Sequence, residues 1–134
     1  MHKNEVRALQ IAVAIGSSVP IVAGITGVLL GPQMPGATSV VSVDLDSHFR
    51  YLSGLLLAIG VGFASTVPCI ERHQLRFRLL ATFVVVGGIG RLLSLPVLGL
   101  PSPAMQAALA MELVVTPALA LWQRRVARRA AQVD

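Results

Sequence analysis

Four apolar stretches, Ala8 to Leu30, Tyr51 to Ile70, Leu79 to Leu98 and Ala104 to Trp122, constrain this chain more than any other feature. Each is close to the roughly 20 residues that a helix needs to cross about 30 Å of hydrocarbon. They are continuous apolar runs without the period-2 alternation of lipid-out, polar-in strands, so a transmembrane barrel is excluded and helices remain. With 54% hydrophobic and 13% charged residues in 134 positions, the chain lies far from the soluble average and has the length of one domain. The expected fold class is all-α, an integral membrane four-helix up-down-up-down bundle. Its spans cover about 8–30, 48–70, 79–98 and 104–122, and a short basic tail follows over 123–134.

The placement of charge sets the expected orientation. Of 11 Lys and Arg, nine lie outside the spans: Lys3, Arg7, Arg72, Arg76, Arg78, Arg124, Arg125, Arg128 and Arg129. Alternate crossings put all of these on one side, whereas the loops Gly31 to Asp46 and Gly99 to Pro103 hold none. The positive-inside rule makes that basic side cytoplasmic, which predicts a multi-pass membrane protein with N- and C-termini in the cytoplasm. Short juxtamembrane arginines suit anionic lipid headgroups and do not form a base-reading surface, so membrane lipids are the expected partners and nucleic acid is not. The first stretch is read as a retained span, because it is long for a signal core and no A-x-A site follows it. A single cysteine, Cys69, forms no internal disulfide and belongs to no metal motif, so no metal and no cofactor are expected.

The connections are short except the first, where Gly31-Pro32 and Pro35-Gly36 break the helix. Gly99-Leu100-Pro101-Ser102-Pro103 has room only for an antiparallel hairpin. Small residues recur at four-residue spacing: Ala8, Ala12, Gly16, Pro20 and Gly24 in the first helix; Gly54, Ala58 and Gly62 in the second; Ala104, Ala108, Glu112, Thr116 and Ala120 in the fourth. The third carries Gly87, Gly88 and Gly90. These predict the close-packed faces. Pro20, Pro96 and Pro117 predict local bends, and Trp122 predicts an interfacial anchor.

Charges inside spans are costly, which singles out Arg50, Arg91 and Glu112. Arg91 lies 7 residues before Leu98 and Glu112 lies 8 after Ala104, depths of about 10 and 12 Å at 1.5 Å per residue. A tight hairpin joins their helices, so an ion pair is expected. Arg50 continues the Gly54, Ala58, Gly62 ridge and is expected to point inward, with His48 at the entrance and Asp44 and Asp46 just outside. Ser94 and Thr116, together with Ser53, add hydroxyls to the same half. Two readings compete for this cluster: a buried network that fixes helix register, and a periplasm-facing pocket. The pocket reading assigns ligand binding to Arg50, Arg91, Glu112, His48, Ser94 and Thr116, with no catalytic residue. Two cations and one carboxylate would suit a lipid or small amphiphile with an anionic or polar head.

The segments Ser47-His48-Phe49-Arg50-Tyr51-Leu52-Ser53-Gly54, Gly87-Gly88-Ile89-Gly90-Arg91-Leu92-Leu93-Ser94, Gly99-Leu100-Pro101-Ser102 and Glu112-Leu113 resemble an uncharacterised bacterial family of short four-helix membrane proteins, a domain of unknown function. The resemblance implies the four-helix fold, marks Arg50, Arg91 and Glu112 as motif positions, and implies no activity. The leading functional expectation is therefore a non-enzymatic membrane protein with an amphiphile site, acting as an accessory subunit or homo-oligomer. The second is an intramembrane enzyme of isomerase type, with Glu112 or His48 moving a proton. It lacks any paired-carboxylate, Ser-His or metal-ligand spacing within the spans. The third is a small transporter, which needs an unpaired membrane carboxylate.

Overall fold

The protein is described by a computed structural model that covers residues 2–32 and 41–132. The Pro35-Gly36 pair and most of the first connection lie outside the described residues. The described chain is all-α, with no strand. Four long helices account for it: α1 (His2–Leu30), α2 (Val43–Ala64), α3 (Gln74–Leu98) and α4 (Pro103–Ala130), with a short 3-10 turn at Val67–Cys69. All four are long and apolar enough to cross a membrane, and at most 22% of each apolar window is buried inside the protein. Side chains such as Ile15, Val22, Leu79, Val86 and Leu121 are more than half exposed. Apolar surface of this extent needs an apolar surrounding.

The helices reach beyond the apolar stretches that announce them. Ser42 caps α2 by accepting a 3.2 Å hydrogen bond from the Leu45 N–H, so Asp44 and Asp46 fall in its first turn and not in a loop. Pro68 interrupts the other end of the second span with the 3-10 turn. Arg76 and Arg78 begin α3 instead of connecting it. The segment 123–132 is helical as far as Ala130.

The chain folds as two compact units. One comprises residues 12–65, the greater part of α1 together with α2. Its packing face follows the small-residue ridges only in part, at Gly24. Gly24 lets α1 touch the Leu57 backbone, where an added Cβ would stand 2.7 Å from the Leu57 nitrogen. Gly27 lies against the Ser53 hydroxyl and Phe49, and Gly60 against Ile21 and Pro20. Ser53 and Gly60 are buried whereas Ala58 is exposed, and nothing lies within 4 Å of a Cβ added at Gly16. The reason is helical drift: steps of four advance about 40° around a 3.6-residue helix, so a straight seam must alternate threes and fours.

The second unit comprises residues 1–11 and 66–134. Here α3 and α4 form the antiparallel hairpin. Gly99 turns the chain with φ 85°, its N–H bonding the Leu95 carbonyl at 2.9 Å, and Pro103 opens α4 in its first turn. The seam of α3 runs through Phe77, Ala81, Val84, Gly88, Arg91 and Leu95. That of α4 runs through Met105, Leu109, Glu112, Thr116, Leu119, Gln123 and Val126. Both alternate steps of three and four, the spacing of coiled-coil-like packing. Of the three glycines expected to pack, only Gly88 does: its added Cβ would lie 2.9 Å from Glu112 Cβ, whereas Gly87 and Gly90 face open space.

The densest packing in this unit gathers Leu9, Thr66, Ile70, Phe77, Gln123 and Val126, all 0–1% exposed. The Gln123 side chain donates to the Ile70 carbonyl at 2.8 Å, and Gln10 donates to the Val67 carbonyl at 2.7 Å. These amides satisfy backbone groups that the Pro68 turn leaves without helical partners. Trp122 is half-buried beside this cluster.

Candidate functional site

In the hairpin unit, the depth match between Arg91 and Glu112 becomes a forked ion pair. Arg91 Nε donates to Glu112 Oε2 and Nη2 donates to Oε1, both at 3.0 Å. Two parallel N–H to oxygen bonds fix orientation as well as energy. A third donor, Nη1, meets the Met105 sulfur at 3.1 Å. Met105 stands seven residues before Glu112 on the α4 seam, a signal the sequence carries but charge-based reading overlooks. Among the described residues, two of the five guanidinium N–H groups have no partner. The Arg91 side chain is 36% exposed and that of Glu112 19%.

Two local features bring the pair together. Gly88, one turn before Arg91, has no side chain to hold α4 away, so Glu112 approaches closely. On α4, Met111–Val115 form a π-turn, in which the Thr116 N–H and hydroxyl both bond the Met111 carbonyl, the latter at 2.9 Å. Pro117 supplies the cause. It cannot donate to the Leu113 carbonyl and its ring needs room against that same group, and a widened turn relieves both. The irregularity that Pro117 predicts is thus a π-turn containing Glu112.

Each of the other candidates has its own local setting. Thr116 is on the α4 seam, its hydroxyl turned to its own helix. Ser94 is exposed and its hydroxyl bonds the Arg91 carbonyl at 2.8 Å. Arg50 and His48 belong to the α1–α2 unit. His48 is exposed in the second turn of α2. Arg50 is engaged: Nε and Nη2 hold Asp46 at 2.8 and 3.3 Å, while Nη1 donates to the carbonyls of Val28 and Leu29 at 2.6 and 3.1 Å. Those carbonyls end α1, where a helix lacks partners and favours a cation. Gly31, at φ 68°, closes the same end, and a Cβ there would meet Asp46 and Arg50 at 2.5 and 2.8 Å. Arg50 therefore works as the C-terminal cap of α1, held by Asp46. Sequence reading placed Asp46 outside the helix and so missed this partner. No cluster of three metal-ligating side chains occurs among the described residues.

Four apolar helices long enough to cross a membrane, one hairpin carrying a forked ion pair, define the make-up of a small multi-pass membrane protein. Within that class, the chain belongs to the family described as Domain of unknown function (DUF4345), whose model matches residues 8–123. No curated protein and no solved structure matches it.

Proposed function

We propose that this chain is an inner-membrane protein that crosses the bilayer up-down-up-down, with both termini cytoplasmic. Its Arg91–Glu112 pair forms the polar end of a periplasm-facing site for a lipid or small amphiphile. It acts as a binding or accessory subunit, alone, as a homo-oligomer or beside another membrane protein. The observation that carries this reading is the state of Arg91. Its charge is balanced by Glu112, yet two N–H donors remain and a third of the side chain is open. A headgroup oxygen can take those donors without breaking the pair, and exposed Leu92 and Leu93 beside it suit an acyl chain.

The intramembrane-enzyme reading stands second. Both Glu112 oxygens already accept from Arg91, which leaves the carboxylate poorly placed to move a proton. The transporter reading needs a carboxylate that is free to exchange partners, and the same fork weighs against it. The test is mass spectrometry of small molecules and lipids retained after mild purification, comparing the wild type with the double variant Arg91→Met, Glu112→Gln. A retained amphiphile class that disappears from the folded double variant supports the site. Identical lipid profiles in the two proteins, both matching the bulk membrane, overturn it.

A further inference from the structure

The end of the hairpin unit that holds residues 2–11, the 66–73 connection and the last turns of α4 concentrates charge of one sign. Nine cations, Lys3, Arg7, Arg72, Arg76, Arg78, Arg124, Arg125, Arg128 and Arg129, meet two carboxylates, Glu5 and Glu71, among the described residues. The four arginines of α4 are not equivalent. Glu5 on α1 holds Arg129 at 2.6 Å and faces Arg125 at 3.7 Å, and so latches the start of the chain onto the end of α4. Arg124 and Arg128 are exposed and have no ion pair among the described residues. The same turns bury Gln123, Val126 and Ala127 on the opposite face, which fixes the side on which Arg124 and Arg128 stand. About one and three turns before Arg124 the exposed stripe is apolar, with Leu121 67% and Val114 65% exposed. The surface of α4 thus passes along its axis from acyl-chain chemistry to cation without a break.

From this geometry we infer that Arg124 and Arg128 are a docking surface for anionic phospholipid headgroups, whereas Arg125 and Arg129 are structural and hold the chain's first helix in place. The occupant follows from charge and position. A phosphodiester or phosphoglycerol head beside an apolar stripe satisfies both the guanidinium donors and the Leu121 surface, and a leaflet of such lipids attracts each nearby arginine. Arg72, exposed at the start of the α3 side with Leu75 and Leu79 exposed further along, extends the same arrangement to the neighbouring helix. This inference concerns the basic end of the unit and stands apart from the Arg91–Glu112 site.

Native mass spectrometry of the full chain from micelles mixed with equal phosphatidylglycerol and phosphatidylcholine tests it, read as the ratio of the two lipids bound. Wild-type protein should bind phosphatidylglycerol preferentially. Arg124→Gln with Arg128→Gln should lower that ratio roughly fivefold per arginine removed and leave the melting temperature unchanged. Arg125→Gln with Arg129→Gln should keep the ratio and lower the melting temperature, because Glu5 loses its partners. The inference is overturned if the Arg124/Arg128 variant keeps the wild-type ratio. It is equally overturned if the Arg125/Arg129 variant loses the ratio to the same degree while melting as the wild type does.

Discussion

Gly87 and Gly88 are adjacent in α3, and the same substitution should shift stability in opposite directions at the two positions. A Cβ at Gly88 would stand 2.8 Å from Leu113 Cδ2 and 2.9 Å from Glu112 Cβ. The leucine can swing away, but Glu112 Cβ is fixed to the α4 backbone. Restoring ordinary contact at 3.4 Å needs the helices to part by about 0.5 Å, and strain of this kind costs typically about 1–3 kcal/mol. Replacing glycine by alanine inside a helix returns about 0.5–1 kcal/mol. Taking the middle of each range, Gly88→Ala should therefore destabilise by about 1 kcal/mol. Gly87→Ala meets nothing within 4 Å and should keep the whole helical gain. Thermal unfolding of both variants in one detergent, followed by circular dichroism, compares them directly. Equal melting temperatures, or a less stable Gly87→Ala, would refute the assignment of Gly88 alone to the α3–α4 contact.

Two further outcomes follow from the geometry. Arg50→Met should lower the melting temperature, since it leaves the Val28 and Leu29 carbonyls without a charged partner; Arg50→Lys should recover only part of this, because an ammonium cannot hold Asp46 by a fork and reach both carbonyls. Unchanged melting of Arg50→Met would remove the capping role. Reporters fused after Asp134 and within Arg72 to Arg78 should read cytoplasmic, and one at Gln33 periplasmic; a periplasmic signal from the C-terminus would reverse the proposed orientation.

The helices and the main ion pair were legible because each rests on a short-range regularity. Span length gives the helices, and depth counted from a tight turn gives Arg91 opposite Glu112. Arg50 was found as an unusual charge but without its capping role, since the Gly- and Pro-rich run before Ser42 hides where α2 begins and so hides Asp46 as an i, i+4 partner. The packing faces meet the small-residue ridges only in part, at Gly24, Gly88, Glu112 and Thr116, because small residues at constant four-residue spacing wind around a helix. The last turns of α4 read as a basic tail from composition, although Gln123, Val126 and Ala127 carry the 3–4 spacing of a buried face. The Glu5–Arg129 latch joins groups 124 positions apart, a distance at which only the assembled fold reveals the contact.

Arg91 and Glu112 act as one unit inside the α3–α4 hairpin, and a double-mutant cycle of unfolding free energies measures that directly. Arg91→Met and Glu112→Gln should each cost about 3 kcal/mol, the low end of the range for breaking a buried pair, because a third of the Arg91 side chain stays open. Each single change strands the other charge, so the double variant should cost less than the sum by about 1.5 kcal/mol or more. Additive losses would mean that the two groups are independent, and would remove both the pair and the amphiphile site built on it.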